Sequence, residues 1–245
     1  MLKNNFINYS AVLTVFFLLF FCMCHKNEEP INDDNDDDNN NNIGCGTVTD
    51  GDGNVYNTII IGDQCWMQTN LKTAKYMNGD LIESTTPDTL EIIGESEPKY
   101  QWVFESNTNY LSAYGRLYTW HAITDTRGVC PAGWHIPSDT EWTTLINLMG
   151  GDSAAGIKLK EAGTSHWYAP NAFTTNESGF TALPGGYRTQ DGMFRGILFR
   201  GMWWSATESN IPSNAYDRQL DNNSVNVSRG NNHKNTGSAI RCVKD

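Results

Sequence analysis

The sequence predicts an α+β fold with helices early and an antiparallel β-sheet late. Three observations carry that prediction. A capped helical pattern with one apolar face follows residue 137, and short apolar runs between Asn, Asp and Gly clusters fill the chain after residue 180. The third is composition: 39% hydrophobic and 18% charged residues in a chain of 245 supply one sizeable core, as neither a disordered nor a multi-span membrane protein would. Twenty-two glycines and eight tryptophans suit many turns between short strands.

The N-terminal segment reads as an address. Lys3 precedes an apolar run from Ala11 to Met23, shorter than the roughly 18 to 20 residues a spanning helix needs, so it is a secretory h-region. Cys22 and Cys24 close the run, and His25-Lys26-Asn27-Glu28-Glu29-Pro30 follows. Residues 31–42, INDDNDDDNNNN, have no apolar residue after Ile31, and their like charges keep a chain extended. The expected organisation is a signal peptide over 1–24, a disordered acidic linker over 25–42 and a globular body over 43–245. The net charge of −11 leaves no basic face for a phosphate backbone, so nucleic acid is not an expected partner.

Beyond the signal, four cysteines remain: Cys45, Cys65, Cys130 and Cys242. An even number in an exported chain favours two disulfides, and Cys45–Cys65 with Cys130–Cys242 is the preferred pairing of the three possible. The first closes a loop around the strand-like run Val55 to Ile61. The second ties the start of the main region to its last strand, closing a loop worth on the order of 4 kcal/mol of chain entropy.

Along the body, Gly46 to Tyr56 reads as strand, Asp/Gly/Asn turn and strand, a hairpin. Asp50, Asp52 and Asn54 share the spacing of the first ligands of a calcium loop, and calcium is the one cofactor considered. Ile61 stands where the twelfth-position acid belongs, so a plain turn is preferred and no cofactor is expected. Residues 77–99 form a polar surface excursion, and Tyr114 to Ile123 re-enters the core. Ser138-Asp139-Thr140-Glu141 is a capping box that starts a helix over Asp139 to Met149, with Trp142, Leu145, Ile146 and Met149 on one face. Gly150-Gly151 stops it, and a shorter helix over Asp152 to Leu159 is weakened by Gly156. Strands are then expected at Phe180–Leu183, Phe194–Phe199, Trp203–Thr207, Tyr216–Leu220, Ser224–Val227 and Ala239–Val243.

Chemistry-bearing residues are sparse. His121, His135, His166 and His233 sit in no nucleophile elbow and no zinc pattern, and His135 reads as structural. Aromatic stacking is the better candidate, with Trp102, Trp167, Trp203 and Trp204 available for sugar rings. Trp134, Trp142 and one of the adjacent Trp203 and Trp204 are assigned to the core, because strand neighbours point to opposite faces. If the other faces out, Glu208 to Asn214, with Glu208, Asn210 and Asn214, is the recognition loop.

Six segments, DGNVYNTIIIGDQCWMQTNLKT, AYGRLYTWHAI, CPAGWHIPSDTEW, NESGFTALPGGYR, WWSATES and AIRCVKD, occur in an order that resembles the Fibrobacter succinogenes major paralogous domain family. That resemblance covers about residues 45 to 245. It implies a C-type lectin-like fold in which a disulfide clamps the final strand to an early segment, a clamp that Cys130 and Cys242 fit. GWHIPSDTEW is also similar to the helix entry of the formylglycine-generating enzymes, but the close reactive cysteine pair of those oxidases is missing. The Glu-Pro-Asn, Gln-Pro-Asp and Trp-Asn-Asp tripeptides of calcium-dependent lectins are missing too. The N-terminus resembles the lipoprotein signals of Bacteroidetes-type bacteria, with Cys24 acylated and Cys22 the alternative. The expectation is a non-enzymatic recognition lipoprotein, adhesin-like, anchored on the outer membrane at the cell surface and binding glycan or protein ligands. A structural component of the cell envelope is the second reading, and a carbohydrate hydrolase the third.

Overall fold

The computed structural model describes residues 44–171 and 173–245. The expected signal peptide, its Cys22 and Cys24, and the acidic linker lie outside these residues. The described residues form one compact unit.

The described residues begin with strand rather than helix: β1 (Thr47–Thr49), β2 (Val55–Ile61) and β3 (Gln64–Met67) form an antiparallel meander. The hairpin expected at residues 46–56 is present. Residues 77–99 carry no named helix or strand, as a surface excursion should, yet Ile82 and Ile92 are buried and pin it to the body. β4 (Gln101–Trp102) pairs with β5 (Leu117–Tyr118) around α1 (Thr108–Tyr114), and α2 (Trp120–Ile123) follows. The helices therefore occupy the middle of the chain, behind a meander of which the sequence reading gave the first hairpin but not β3.

β6 (Trp134–His135) leads into α3 (Asp139–Leu148), where both halves of the Ser138/Glu141 capping box are formed. Trp142, Leu145 and Ile146 are its buried face. At its C-terminal end Gly150 adopts φ 108°, a left-handed conformation that ends the helix at little steric cost. In α4 (Ala155–Leu159), Gly156 has a reason beyond helix propensity: a Cβ there would lie 2.4 Å from the Val225 carbonyl oxygen, so the close approach of two backbones requires glycine.

β7 (Gly185–Arg188), β8 (Phe194–Ile197), β9 (Arg200–Glu208), β10 (Asn214–Asp221) and β11 (Val227–His233) form the second sheet, in the order β11-β10-β9-β7-β8. It is antiparallel except where β7 lies parallel to β9. β12 (Val243–Lys244) returns to the first sheet, between β3 and β6. The fold class is α+β with sheet predominating.

Three expected strands are corrected. Phe180–Leu183 is irregular, because buried Arg241 draws the carbonyls of Phe180 and Thr181 to its guanidinium and only the Lys160–Ala182 bridge forms. Ser224–Val227 begins where a strand ends its turn: the Ser224 carbonyl accepts from Lys160 Nζ at 2.8 Å, and β11 runs from Val227 onward. In Ala239–Val243 Ala239 makes an isolated bridge to Trp203, and the strand proper starts at Val243.

Both expected disulfides are present, Cys45–Cys65 with Cα atoms 6.4 Å apart and Cys130–Cys242 with Cα atoms 6.0 Å apart. Two apolar clusters fill the interior. One gathers Trp66, Trp142, Phe180 and Trp203, with the Trp66 and Trp142 rings 4.8 Å apart. The other gathers Tyr56, Tyr118, Trp120, Trp204 and Ile240. No described helix is long and apolar enough to cross a membrane.

Candidate functional site

Adjacent residues of β9 point to opposite faces, and here both faces are covered. Trp203 enters the first cluster and Trp204 the second, at 1% and 0% exposure. Their indole N–H groups are satisfied inside, Trp203 donating to Asn70 Oδ1 at 2.8 Å and Trp204 to the Tyr118 carbonyl at 2.9 Å. Neither offers a face to a ligand, which overturns their assignment as stacking residues. Trp102 and Trp167 are buried as well. Trp134, assigned to the core, is only half-buried against the second cluster.

Asp50, Asp52 and Asn54 lie at the turn between β1 and β2. Asp50 accepts from the backbone N–H of Asp52 and Asn54, from the Asn54 amide at 2.9 Å and from the Tyr56 hydroxyl at 2.5 Å. Burial, then the Asp50 carboxylate, push the Tyr56 phenol far above its usual range, so it stays a donor. Asp52 takes the Ala74 N–H at 2.6 Å and pairs with Lys75 at 2.9 Å. These oxygens face N–H and O–H donors, the arrangement of a locked turn rather than of a cation cage. Among the described residues no group of three His, Cys, Asp or Glu is placed to hold a metal ion.

The loop from Glu208 to Asn214 fares better than the tryptophans that suggested it. It joins β9 to β10 and is closed by Ser209 N–H donating to the Asn214 carbonyl at 3.0 Å. Glu208 and Ser213 line two adjoining hollows of 420 Å³ and 380 Å³ that share Glu97, His121 and Lys234. Asn210 is exposed and lines neither, and Asn214 turns away to donate to the Asn231 carbonyl at 3.1 Å.

The floor of this cleft is Trp120, which starts α2 and anchors its ring by donating to the Ser205 carbonyl at 3.0 Å. Lys234 Nζ lies 4.5 Å from the centroid of that ring and pairs with Glu208 at 3.1 Å, so the cation is held by the indole face and a carboxylate together. On the opposite wall Lys99 pairs with Asp125 at 2.9 Å. Hydrogen bonds from Arg127 hold the Asp125 carboxyl well below the usual carboxylate range. Burial first, and then Lys234, lower the His121 pKa, so its imidazole is neutral near pH 7. His233 is lowered by the same two causes, and its Nδ1 accepts from the Asn235 N–H at 3.2 Å. The result is a wide surface of ion pairs, neutral rings and the carboxylates of Glu95 and Glu97, able to donate and accept hydrogen bonds over one aromatic floor.

The sequence pointed to Glu208 but to neither His121 nor Lys234 as its neighbour. Trp120-His121 was visible as a core re-entry, and nothing in spacing connects it to Lys234, which sits far along the chain.

The fold and cleft define a class: a disulfide-bonded α+β domain whose second sheet carries an open polar cleft at the β9–β10 turn. Residues 59–244 match the Fibrobacter succinogenes major domain, and the chain belongs to that family. No curated protein and no solved structure matches it. The match starts within β2, and the structure adds β1 and Cys45 to the same body.

Proposed function

We propose that this chain is a non-catalytic recognition module, with a C-type lectin-like fold, held at the outer-membrane surface by a lipid on Cys24. Its ligand is polar: a hydroxyl-rich glycan or a polar segment of a surface protein. The observation that carries the reading is the cleft formed by Trp120, His121, Glu208 and Lys234, where charges are paired and the imidazole is neutral. Such a surface suits a ligand that needs many hydrogen bonds and one apolar face, and it offers no developed nucleophile and base pair.

A glycan, polysaccharide and matrix-protein array probed with residues 43–245, which hold both clusters and both disulfides, tests the reading. Binding is expected, with His121→Ala and Glu208→Gln each weakening it about tenfold, the size of one lost buried polar contact. Chelation of calcium is expected to change nothing, since Asp50 and Asp52 are already satisfied. A clean negative on every surface would sink the proposal and favour an envelope component with a protein partner. The anchor is tested separately: palmitate labelling in cells should disappear with Cys24→Ala and survive Cys22→Ala, and the reverse pattern moves the lipid to Cys22.

A further inference from the structure

Three aromatic side chains that the cleft does not use are exposed together on another part of the surface. Tyr168, Phe173 and Phe199 are 58%, 81% and 45% exposed, and the Tyr168 and Phe199 rings lie 4.8 Å apart at 32°. Clustered exposed aromatics on a soluble domain mark an interaction site more often than single ones do.

The backbone beneath the pair is fixed from several sides. Tyr168 N–H donates to the Leu198 carbonyl at 2.8 Å, and Asn222 N–H donates to the Phe199 carbonyl at 2.8 Å. The Asn222 amide also donates to the carbonyls of Tyr168 at 3.1 Å and Ala169 at 3.3 Å. Ordering these rings therefore costs a ligand little. Beside them a hollow of 320 Å³ is lined by Pro170, Phe173, Asn222, Asn223, Ser224 and Val225, with no charged side chain.

Phe199 directly precedes β9 and Asn222 directly follows β10, whereas Glu208 and Asn214 stand at the other ends of these strands. Nine residues of strand at about 3.3 Å each separate the two places by roughly 30 Å. The aromatic face is separate from the cleft.

We propose that this face binds a neutral pyranose ring of a polysaccharide by stacking on Tyr168 and Phe199, with Phe173 at the rim and Asn223 hydrogen-bonding ring hydroxyls. The chemistry of the lining selects that occupant. It offers apolar rings and amide and hydroxyl groups without a charge, and a pyranose presents an apolar C–H face edged by hydroxyls. A second protein is a poorer fit: at the stated exposures three rings offer roughly 400 Å², half of the about 800 Å² that a stable protein interface takes from each partner.

The test is native affinity electrophoresis of the full chain, solubilised in a sugar-free detergent, in gels cast with β-glucan, xylan, galactomannan or dextran. Retardation in at least one gel is expected, with Tyr168→Ala/Phe199→Ala weakening it tenfold or more. No retardation in any gel overturns the proposal. Retardation lost with His121→Ala and kept by the double variant also overturns it, placing the polymer in the cleft and leaving the cleft reading intact. If the double variant does not fold, Phe173→Ala and Asn223→Ala decide, since both side chains lie largely in solvent. A threefold or greater weakening by either supports the site, and no change by both removes it. Sedimentation adds one more arm: a dimer that Phe173→Ala dissociates overturns the proposal in favour of self-association.

Discussion

Asp217 lies on β10 with no exposed surface, accepting from the amides of Asn232 at 2.6 Å and Gln219 at 2.8 Å. Burial raises its pKa to about 6, and the two amides offset only part of that. A carboxyl raised in the folded state stabilises most below its unfolded pKa, near 4, and this contribution is lost as pH rises through 6. The difference is on the order of 3 kcal/mol. Denaturant midpoints of the wild type relative to Asp217→Asn should therefore fall between pH 4 and pH 7, and a flat or rising difference contradicts the burial argument. At this scale legibility was uneven. Sequence adjacency showed that Trp203 and Trp204 face opposite ways, but not that both sides of the sheet are covered. Glu208 was found because a loop between two strand-like runs is visible in one dimension. His121 and Lys234 were not, because their proximity exists only where the chain leaving β11 meets the start of α2, Trp120 N–H donating to the Lys234 carbonyl at 2.9 Å.

Among the elements, three buried cations do work that a strand pattern cannot reveal. Lys160 donates to the carbonyls of Asp221 at 2.9 Å and Ser224 at 2.8 Å, and Arg188 donates to those of Asp88 and Leu90. Arg241 takes the carbonyls of Phe180 and Thr181, its guanidinium stacked 4.0 Å from the Phe180 ring. Each cation gathers irregular backbone that would otherwise be buried with carbonyls unpaired. This is why Phe180–Leu183 and Ser224–Val227 are irregular where their apolar residues suggested strands. β11 was misplaced for the converse reason: Ser228 to His233 has no apolar alternation, and as an edge strand it needs little. The helix after Ser138 was legible almost to its last residue, because capping and one apolar face are local signals. Gly156 was legible as an anomaly only, and its cause makes a prediction. Gly156→Ala gains about 1 kcal/mol in helix propensity, but forcing a methyl onto the Val225 carbonyl costs about 2 to 3 kcal/mol. The net expectation is a lower urea midpoint, and a more stable variant would show that α4 can shift away from β11's approach.

For the whole molecule, the cysteine pairing was the most readable feature, since the four cysteines of the body allow only three pairings. The two-sheet topology was not readable, because β12 joins β3 and β6 across almost the full length of the body. The Cys130–Cys242 bond spans 112 residues and fastens that last strand beside the residues leading into α3. Replacing both cysteines by serine should lower unfolding free energy by about 2 to 5 kcal/mol, measured by chemical denaturation under non-reducing conditions. An unchanged midpoint would mean that the strand order alone holds the chain end in place.

The back-to-back indoles of β9 bear on how the body comes apart. β3 repeats the arrangement, sending Trp66 to one cluster and Met67 to the other. With two strands serving as party walls, neither apolar compartment can lose its packing while the other keeps its own. The domain should open as a single unit, so the slowest-exchanging amides on both sides of the wall share one exchange rate. A protease would then meet a molecule that is either closed or wholly unfolded, with no half-open intermediate to cut.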